Sequence, residues 1–418
     1  MKPICKEDDQ YYFRQQTNGG ILVFSEKYPG SLSASIGITV RTGVVAEAHG
    51  YGGISHFVEH LMFKGTKKRT ARDLNRVLTA VGGELNAFTD REMTCFYAKV
   101  LDEHLTKAVD VLTDMLTGSL MTNEAVELER KVILEEIGMY EDSPDELIHE
   151  MAAGQIFEGA LGQRILGTIE SISHISRDDI LDYVGRRYTV PNTIVAVAGS
   201  FNATRLMHRL EKGFAGYVSA KHKTIPVHDF PAMPARINRP TEQTHVMLCW
   251  RAFPFADEDR FPLEVMNTCL GGNTASRLFS VIRERRGLAY SVFSYSRLMK
   301  EQGALFVYAG TDKRNAQKVL DLCRSELEKL AERGPHHCEL AEARESMRGS
   351  IALMMESTQR RMIRLTMEEL LLGKHVPIAE SLEKIRAVTA DDVKRVAQRI
   401  LADKARLVAI GPEVDKLE

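Results

Sequence analysis

Two hydrophobic periods alternate along the chain. Positions 94–100 are strand-like, and positions 105–116 then place apolar side chains three and four residues apart, as on one face of an α-helix. The second half repeats this order, with strand-like segments over 288–295 and 304–310 and an amphipathic helix over 315–332. Because the same order recurs at about the same spacing, we interpret the chain as a duplication. The pattern predicts an α+β fold of two homologous domains, each a largely antiparallel sheet with helices packed on one face.

Prolines mark the boundary between the two halves. Four of the 13 prolines fall between positions 226 and 240, just past the midpoint of the 418-residue chain. Proline at this density is incompatible with regular helix or central strand, which predicts an extended connector. We therefore expect an N-terminal domain over 1–218, a proline-rich linker over 219–240 and a C-terminal domain over 241–418.

Charge and composition exclude several classes of protein. The 55 Lys and Arg residues against 57 Asp and Glu give a net charge of −2, without the basic excess of nucleic-acid or membrane-surface proteins. No aliphatic stretch approaches the roughly 20 residues needed to cross a bilayer. The six cysteines lack the spacing of zinc ribbons, and charges stand where a signal peptide has its apolar core. We expect a cytoplasmic protein with reduced cysteines and no nucleic-acid or membrane partner.

One short segment of the first half carries the candidate chemistry. His56, Glu59 and His60 stand at i, i+3 and i+4, so on a helix they share one face. We expect Ser55 to cap this helix and Gly65 to end it. Two imidazoles one turn apart can bind one tetrahedral zinc, and the carboxylate between them can take a proton from water at the open position. The alternative is a pair of helix histidines satisfied by local hydrogen bonds.

A second segment offers the carboxylate that such a site requires. A catalytic zinc of this type takes a third protein ligand, often Asp or Glu. Residues 124–142 predict an acid-rich helix, on which Glu129 and Glu136 share a face with apolar neighbours. An acid on an apolar face is costly unless it is paired or bound to a metal. Both glutamates are therefore candidates for the metal site, and solvated surface acids are the alternative.

Together these segments resemble a known family. His56-x-x-Glu59-His60 is the inverted zincin motif, and with the acidic helix it is similar to the pitrilysin, or insulinase, family of zinc endopeptidases. Glu136 lies 136 − 60 = 76 residues past His60, about where the family has its last metal ligand. The resemblance implies that His56, His60 and Glu136 bind one zinc ion per chain and that Glu59 is the catalytic base. It also places Glu129 among the catalytic residues, as a partner of Glu136 that either supports the metal site from behind its ligands or acts through its charge.

Other segments resemble the mitochondrial-processing-peptidase branch of that family, among them Phe63-Lys-Gly-Thr and Asn86-Ala-Phe-Thr. The resemblance also covers Arg283 and Tyr290, which in the family contact the substrate and the reacting carbonyl. We therefore expect catalytic roles for this pair. The strand that holds Asn86, Ala87 and Phe88 is expected to bind substrate, because an open strand edge can accept an extended peptide as an added strand.

The sequence thus predicts a zinc-dependent endopeptidase that hydrolyses extended or unfolded peptides, including presequence-like segments, with metal-activated water. The second half has no His-x-x-Glu-His, so each chain has one metal site. The resemblance implies a chamber enclosed by four such domains, which predicts a homodimer, with a heterodimer containing a metal-free paralogue as the alternative. The competing function is that of a non-catalytic scaffold or substrate-presenting subunit of the same fold.

Overall fold

The structure, a computed structural model, describes residues 5–7, 10–218 and 233–418. These residues form two compact units. Unit 1 takes the described residues of Met1–Ile137, Arg164–Phe230 and Met354–His375, and unit 2 takes those of Gly138–Gln163, Pro231–Leu353 and Val376–Glu418. Each unit therefore contains one segment from the opposite half of the chain, which the expected division into continuous domains did not include. Most of the predicted linker over 219–240 lies outside the described residues.

Unit 1 is built on a seven-stranded sheet. Its strands in chain order are β1 (Cys5–Glu7), β2 (Gln10–Gln16), β3 (Leu22–Lys27), β4 (Ser33–Val40), β5 (Glu84–Thr89), β6 (Thr94–Leu101) and β7 (Thr193–Gly199). They lie in the order β1-β2-β3-β7-β4-β6-β5, so β5 is an edge strand. Strands β3 and β7 pair in parallel and the other described pairs are antiparallel, which confirms the predicted sheet type.

Unit 2 repeats the central part of this sheet with five strands. They are β8 (Arg236–Asn238), β9 (Thr244–Ala252), β10 (Ala289–Leu298), β11 (Gly303–Thr311) and β12 (Arg406–Gly411). Their order is β10-β11-β9-β12-β8, with β8 and β12 parallel. This order matches β5-β6-β4-β7-β3 strand by strand, including the position of the parallel pair, as a duplicated chain requires.

Helices follow the strands in the predicted order. They are α1 (Ile54–Met62), α2 (Ala71–Thr79), α3 (Leu105–Gly118), α4 (Asn123–Asp142), α5 (Pro144–Ile156), α6 (Ile169–His174), α7 (Arg177–Arg187), α8 (Ala203–Gly213), α9 (Arg260–Leu270), α10 (Ala316–Arg333), α11 (His337–Met354), α12 (Thr358–Leu372), α13 (Ile378–Ala387) and α14 (Ala390–Leu401). A π-helix spans Phe279–Glu284. In the part of the chain that the structure describes, no helix combines the length and apolarity needed to cross a membrane.

Each sheet is covered by helices on both faces, whereas the sequence predicted helices on one face. In unit 1, alternate side chains of β4, such as Ile36 and Ile38, enter the main core with α1 and α3. The intervening side chains meet α12: Ser35 Oγ lies 2.9 Å from Thr358 Oγ1, and Met362 packs with strand residues of the opposite face. All residues of β7 are buried, and such continuous burial is typical of a strand with both faces covered.

Unit 2 has the corresponding arrangement. Alternate residues of β9, such as Val246 and Leu248, belong to the main core, while Met247 and Cys249 pack with α5. Helix α5 comes from the first half of the chain, and α12 comes from the second. The segments that cover the second face of each sheet are therefore exchanged between the two halves.

Candidate metal centre

Helix α1 carries both core residues and the candidate metal ligands. Phe57 and Leu61 are fully buried and anchor it, while His56, Glu59 and His60 share a neighbouring face about 100° around the helix. The helix begins after Gly53, whose φ of 85° only glycine adopts freely. Ser55 is therefore a helical residue and does not cap the helix, contrary to expectation. Gly65, with a φ of 118°, lies three residues past the last helical residue.

Two imidazoles of α1 and one carboxylate of α4 converge. Glu136 Oε2 lies 3.8 Å from His56 Nε2 and 3.7 Å from His60 Nε2. Among the described residues, these three form the one group of His, Cys, Asp and Glu side chains that could hold a metal ion, with ligand atoms within 4.8 Å of one another. The separations are too long for hydrogen bonds. Zinc bonds of about 2.0–2.1 Å place tetrahedral ligand atoms roughly 3.3 Å apart, so this donor set fits zinc after small side-chain shifts.

The tautomer of His60 is set by a second acid of α4. Glu129 Oε2 lies 3.0 Å from His60 Nδ1, and Lys64 Nζ lies 2.6 Å from Glu129 Oε1. Glu129 is buried, which alone would raise its pKa, but the hydrogen bonds from His60 and Lys64 outweigh burial and lower the pKa below its usual value. An ionised Glu129 accepts a hydrogen bond from the Nδ1–H group of His60, which leaves Nε2 as the ligand atom. Glu129 thus contacts the ligand His60, as a residue that supports the metal site from behind its ligands would, and its role in catalysis stays a prediction.

Burial keeps the first ligand in the form that binds metal. It lowers the pKa of His56 to about 3, with a smaller contribution from nearby His60, so this imidazole is neutral at physiological pH. Burial also raises the pKa of Glu136, and the charge of His60 opposes that shift. A neutral imidazole and a carboxylate beside it are the ligand forms that a divalent cation stabilises.

The candidate base lies beside this group. Thr89, the last residue of β5, donates a hydrogen bond of 2.6 Å from its Oγ1 to Glu59 Oε2. Burial raises the pKa of Glu59, partly countered by the bond from Thr89. Raising a carboxylate pKa toward neutrality is the shift that favours general base catalysis. Thr89 belongs to the family-like segment Asn86-Ala-Phe-Thr, but its contact with Glu59 could not be predicted, because nothing in the local pattern relates it to a helix 30 residues upstream.

Helix α4 is held in place by contacts on its inner side. Ile133 and Ile137 are buried, and Arg130 donates from Nη2 to the carbonyl oxygen of Ile175 at 2.8 Å. The Arg130 guanidinium also lies 5.5 Å from the ring of Phe57 on α1. These contacts fix the register of the two helices, so Glu136 faces the histidines while Glu135 is exposed to solvent.

The predicted peptide-binding residues lie on the edge strand next to α1. Asn86, Ala87 and Phe88 belong to β5, which has β6 as its one strand partner among the described residues. Asn86 is exposed, and its Oδ1 accepts a bond of 2.8 Å from the backbone N–H of Ala87. The structure therefore brings these residues to an open edge, and their contact with substrate stays a prediction.

Arg283 and Tyr290 lie together in unit 2. The Arg283 guanidinium is 4.9 Å from the ring centre of Tyr290 and 4.8 Å from that of Phe279. The side chain of Tyr290 is highly exposed, with 75% of its surface accessible. The π-helix that carries Arg283 ends just before β10, so the turn between them brings the two residues into contact. Their predicted roles in catalysis stay predictions.

One buried acid was missed entirely. Glu47 accepts hydrogen bonds from the backbone N–H groups of Gly53 at 2.8 Å and Ser55 at 3.0 Å, at the start of α1. It is a single charged residue in a small apolar segment, Val44-Val-Ala-Glu-Ala. An isolated acid among apolar residues is a signal for a buried, hydrogen-bonded carboxylate, but sequence alone does not identify its partner.

Comparison with known proteins gives consistent matches over most of the chain. The family model described as "Insulinase (Peptidase family M16)" matches residues 22–169, and the one described as "Peptidase M16 inactive domain" matches residues 174–347. An uncharacterized zinc protease of Streptomyces coelicolor is 38% identical over 95% of this chain and 89% of its own length. Another, from Bacillus subtilis, is 36% identical over 96% of this chain and 98% of its own length.

A solved structure shares the fold. The crystal structure of a protease from Helicobacter pylori matches with a TM-score of 0.86 and 20% identity, over 96% of this chain and 99% of that one. This chain therefore has a fold that is also known from experiment.

Proposed function

Since this chain belongs to the insulinase family of peptidases, family M16, we propose that it is a zinc-dependent endopeptidase that hydrolyses extended or unfolded peptides. The observation that carries the proposal is the convergence of His56, His60 and Glu136 beside the hydroxyl-bound Glu59. Two of its relatives, from Streptomyces coelicolor and Bacillus subtilis, are named zinc proteases. The donor atoms of this chain would hold one such ion.

The chemistry divides between the ion and the side chains. A zinc ion bound by these three residues would act as a Lewis acid that lowers the pKa of water and polarises a carbonyl. Glu59 would accept a proton from the attacking water and later donate it to the leaving amine nitrogen. Thr89 fixes the Glu59 carboxylate through Oε2 and so leaves Oε1 for this transfer. Glu129 holds the imidazole of His60 in the orientation that exposes Nε2.

The edge strand β5 supports the choice of substrate. An extended peptide can pair with its free backbone groups as an added strand, which requires the substrate to be unfolded over several residues. Presequence-like segments are one such class, in keeping with the resemblance to the processing-peptidase branch. In this proposal Arg283 and Tyr290 contact the substrate, and the Tyr290 hydroxyl donates a hydrogen bond to the developing oxyanion.

We further propose that two copies of the chain assemble into a homodimer whose four units enclose a chamber, in the cytoplasm. A heterodimer with a metal-free paralogue is the alternative. The competing function is a non-catalytic scaffold or substrate-presenting subunit. A complete set of donors with a base beside it favours the peptidase, because a scaffold needs none of these groups.

Zinc content and peptide cleavage, measured together, test the proposal. The wild type should bind one zinc per chain and cleave a quenched, unstructured peptide, and a chelator should abolish cleavage. Glu59→Gln should retain zinc and lose activity by about 10²–10⁴-fold, the contribution of a general base. Glu264→Gln is the matched control, since Glu264 also accepts a hydrogen bond from a hydroxyl, that of Ser296 in unit 2. Normal cleavage by Glu59→Gln, or zinc-loaded wild type inert toward a peptide library, would overturn the assignment.

A further inference from the structure

The N-terminus of the metal-binding helix has no cap from its own sequence. Gly53 occupies the N-cap position and offers no side chain. The first N–H groups of a helix have no partner within the helix, and leaving them buried without one is costly. Glu47 supplies the missing acceptors, with Oε2 bound to the N–H of Gly53 and Oε1 bound to that of Ser55. The second of these residues directly precedes the ligand His56.

The carboxylate of Glu47 belongs to a buried network. Glu47 is 2% exposed, and burial raises the pKa of its carboxyl group to about 7. The Ser55 hydroxyl lies 2.7 Å from the Tyr183 hydroxyl, which lies 2.7 Å from Thr42 Oγ1. The acid therefore fixes the backbone of the first turn, while the hydroxyl chain joins the same turn to α7.

The other side of this turn is fixed by close backbone packing. At Gly53 a Cβ atom would collide with the carbonyl oxygen of Leu166, and Ser171 Oγ donates to the carbonyl oxygen of Gly52 at 2.7 Å. The turn is thus held between Glu47 on one side and the segment of Leu166 and Ser171 on the other. Because α1 is a single rigid helix, a shift of this turn moves both histidines and Glu59 relative to Glu136 on α4.

We propose that Glu47 is a positioning residue of the metal centre, which holds α1 at the depth and rotation that bring its two imidazoles to Glu136. Ligand side chains must be held within about 0.5 Å of the productive geometry, which explains the need for an anchor outside the helix. A carboxylate suits this place better than an amide because both of its oxygens can accept a hydrogen bond, one from the N–H of Gly53 and one from that of Ser55. The expected effect on turnover rests on the proposed function, whereas the expected effect on zinc affinity does not.

The experiment compares zinc affinity, kinetics and stability in three variants. Glu47→Ala removes both acceptors, and Glu47→Gln retains one acceptor without the charge. Glu26→Gln is the control, because Glu26 is another fully buried carboxylate of unit 1, paired with Arg361 of α12. Zinc dissociation constants come from competition with a chelating indicator, kcat and KM from cleavage of a quenched peptide, and melting temperatures from the metal-free proteins.

We expect Glu47→Ala to weaken zinc binding about tenfold, the lower end of what the loss of supporting contacts around a metal site produces. Its kcat should decrease with little change in KM. The zinc affinity and kcat of Glu47→Gln should be intermediate between those of Glu47→Ala and wild type. Glu26→Gln should lower the melting temperature and leave zinc affinity unchanged. If both Glu47 variants bind zinc as wild type does, the proposal is wrong, even if they melt early. If Glu47→Ala does not fold, the zinc affinity of Glu47→Gln decides the question. A wild type that binds zinc but cleaves no peptide would contradict only the peptidase assignment and not the role of Glu47.

Discussion

The two units share a strand order but differ in the chemistry of one helix. In unit 1, α1 packs beside the edge strand β5 and carries two histidines, while in unit 2, α9 packs beside the edge strand β10 and has none. Both helices nevertheless carry a glutamate that accepts a bond from a hydroxyl of the edge strand, Glu59 from Thr89 and Glu264 from Ser296. The carboxylate–hydroxyl contact therefore belongs to the helix–strand packing of both units. What distinguishes unit 1 is the pair of imidazoles and the acids of α4 that face them.

The covering helices differ as well. The face of α12 toward the first sheet includes buried charges, with Arg361 bound to Glu26 and lying 4.1 Å from the ring centre of Tyr28. The face of α5 toward the second sheet is apolar and aromatic, with His149 Nδ1 2.7 Å from the Tyr295 hydroxyl. A buried ion pair adds little net stability, but removal of one partner is strongly destabilising because the other charge stays buried and unpaired. The two exchanged helices are thus attached by different forces.

The largest effect that separates the units is the loss of metal. Replacing His56 by Ala removes one of three ligands, so bound zinc should fall from one per chain to near none and peptide cleavage should become undetectable. His149→Ala is the matched control, since it removes a partly buried histidine of unit 2. Metal analysis after dialysis against a weak chelator measures the difference. Full zinc in His56→Ala, or its loss in His149→Ala, would assign the ion to another set of residues.

The next effect concerns the covering helices. Arg361→Ala leaves Glu26 buried without its partner, and removal of one member of a buried pair costs about 3–5 kcal/mol. Ile148→Ala in α5 creates a cavity under the second sheet and should cost about 2–5 kcal/mol. The two can be distinguished by the double variant Glu26→Gln with Arg361→Met, which should recover much of the loss because neither charge remains. Chemical denaturation measures all three, and no recovery in the double variant would show that the charges themselves hold α12 in place.

Local patterns explain which parts of this molecule could be read from sequence. The spacing of His56, Glu59 and His60 fixes their common face, and the resemblance supplied Glu136, so the residues of the candidate site were named before the fold was known. The contacts of Glu47 and Thr89 could not be predicted, because they depend on how distant segments meet. For the same reason the exchange of α5 and α12 could not be predicted: each helix has an apolar face, but nothing local says which sheet it covers. The nearly continuous apolar run over 193–199, without the alternation of a half-buried strand, was a local signal that the first sheet has two covered faces.

Within α4, adjacent glutamates offer a finer contrast. Glu136→Gln replaces a charged ligand by a weak neutral one, so zinc affinity should fall by about a hundredfold or more, since loss of the residues that merely support metal ligands already costs about 10- to 100-fold. Glu135→Gln, one residue away and exposed, should bind zinc as wild type does. Chelator competition measures both constants. Equal affinities for the two variants would show that the third ligand comes from elsewhere.

The smallest expected effect tests the support of His60. Lys64 contacts Glu129 and no ligand directly, so Lys64→Met leaves the ligand set intact but removes the positive charge that, with His60, keeps the pKa of Glu129 low. With a weaker bond between Glu129 and Nδ1, the imidazole of His60 is held less firmly, and zinc affinity should fall several-fold and less than tenfold. Lys67→Met, at an exposed lysine three residues further along the chain, is the control. An unchanged zinc dissociation constant in Lys64→Met would mean that Glu129 orients His60 without help from Lys64. The metal centre that distinguishes unit 1 from unit 2 would then consist of the two imidazoles and the two acids of α4 alone.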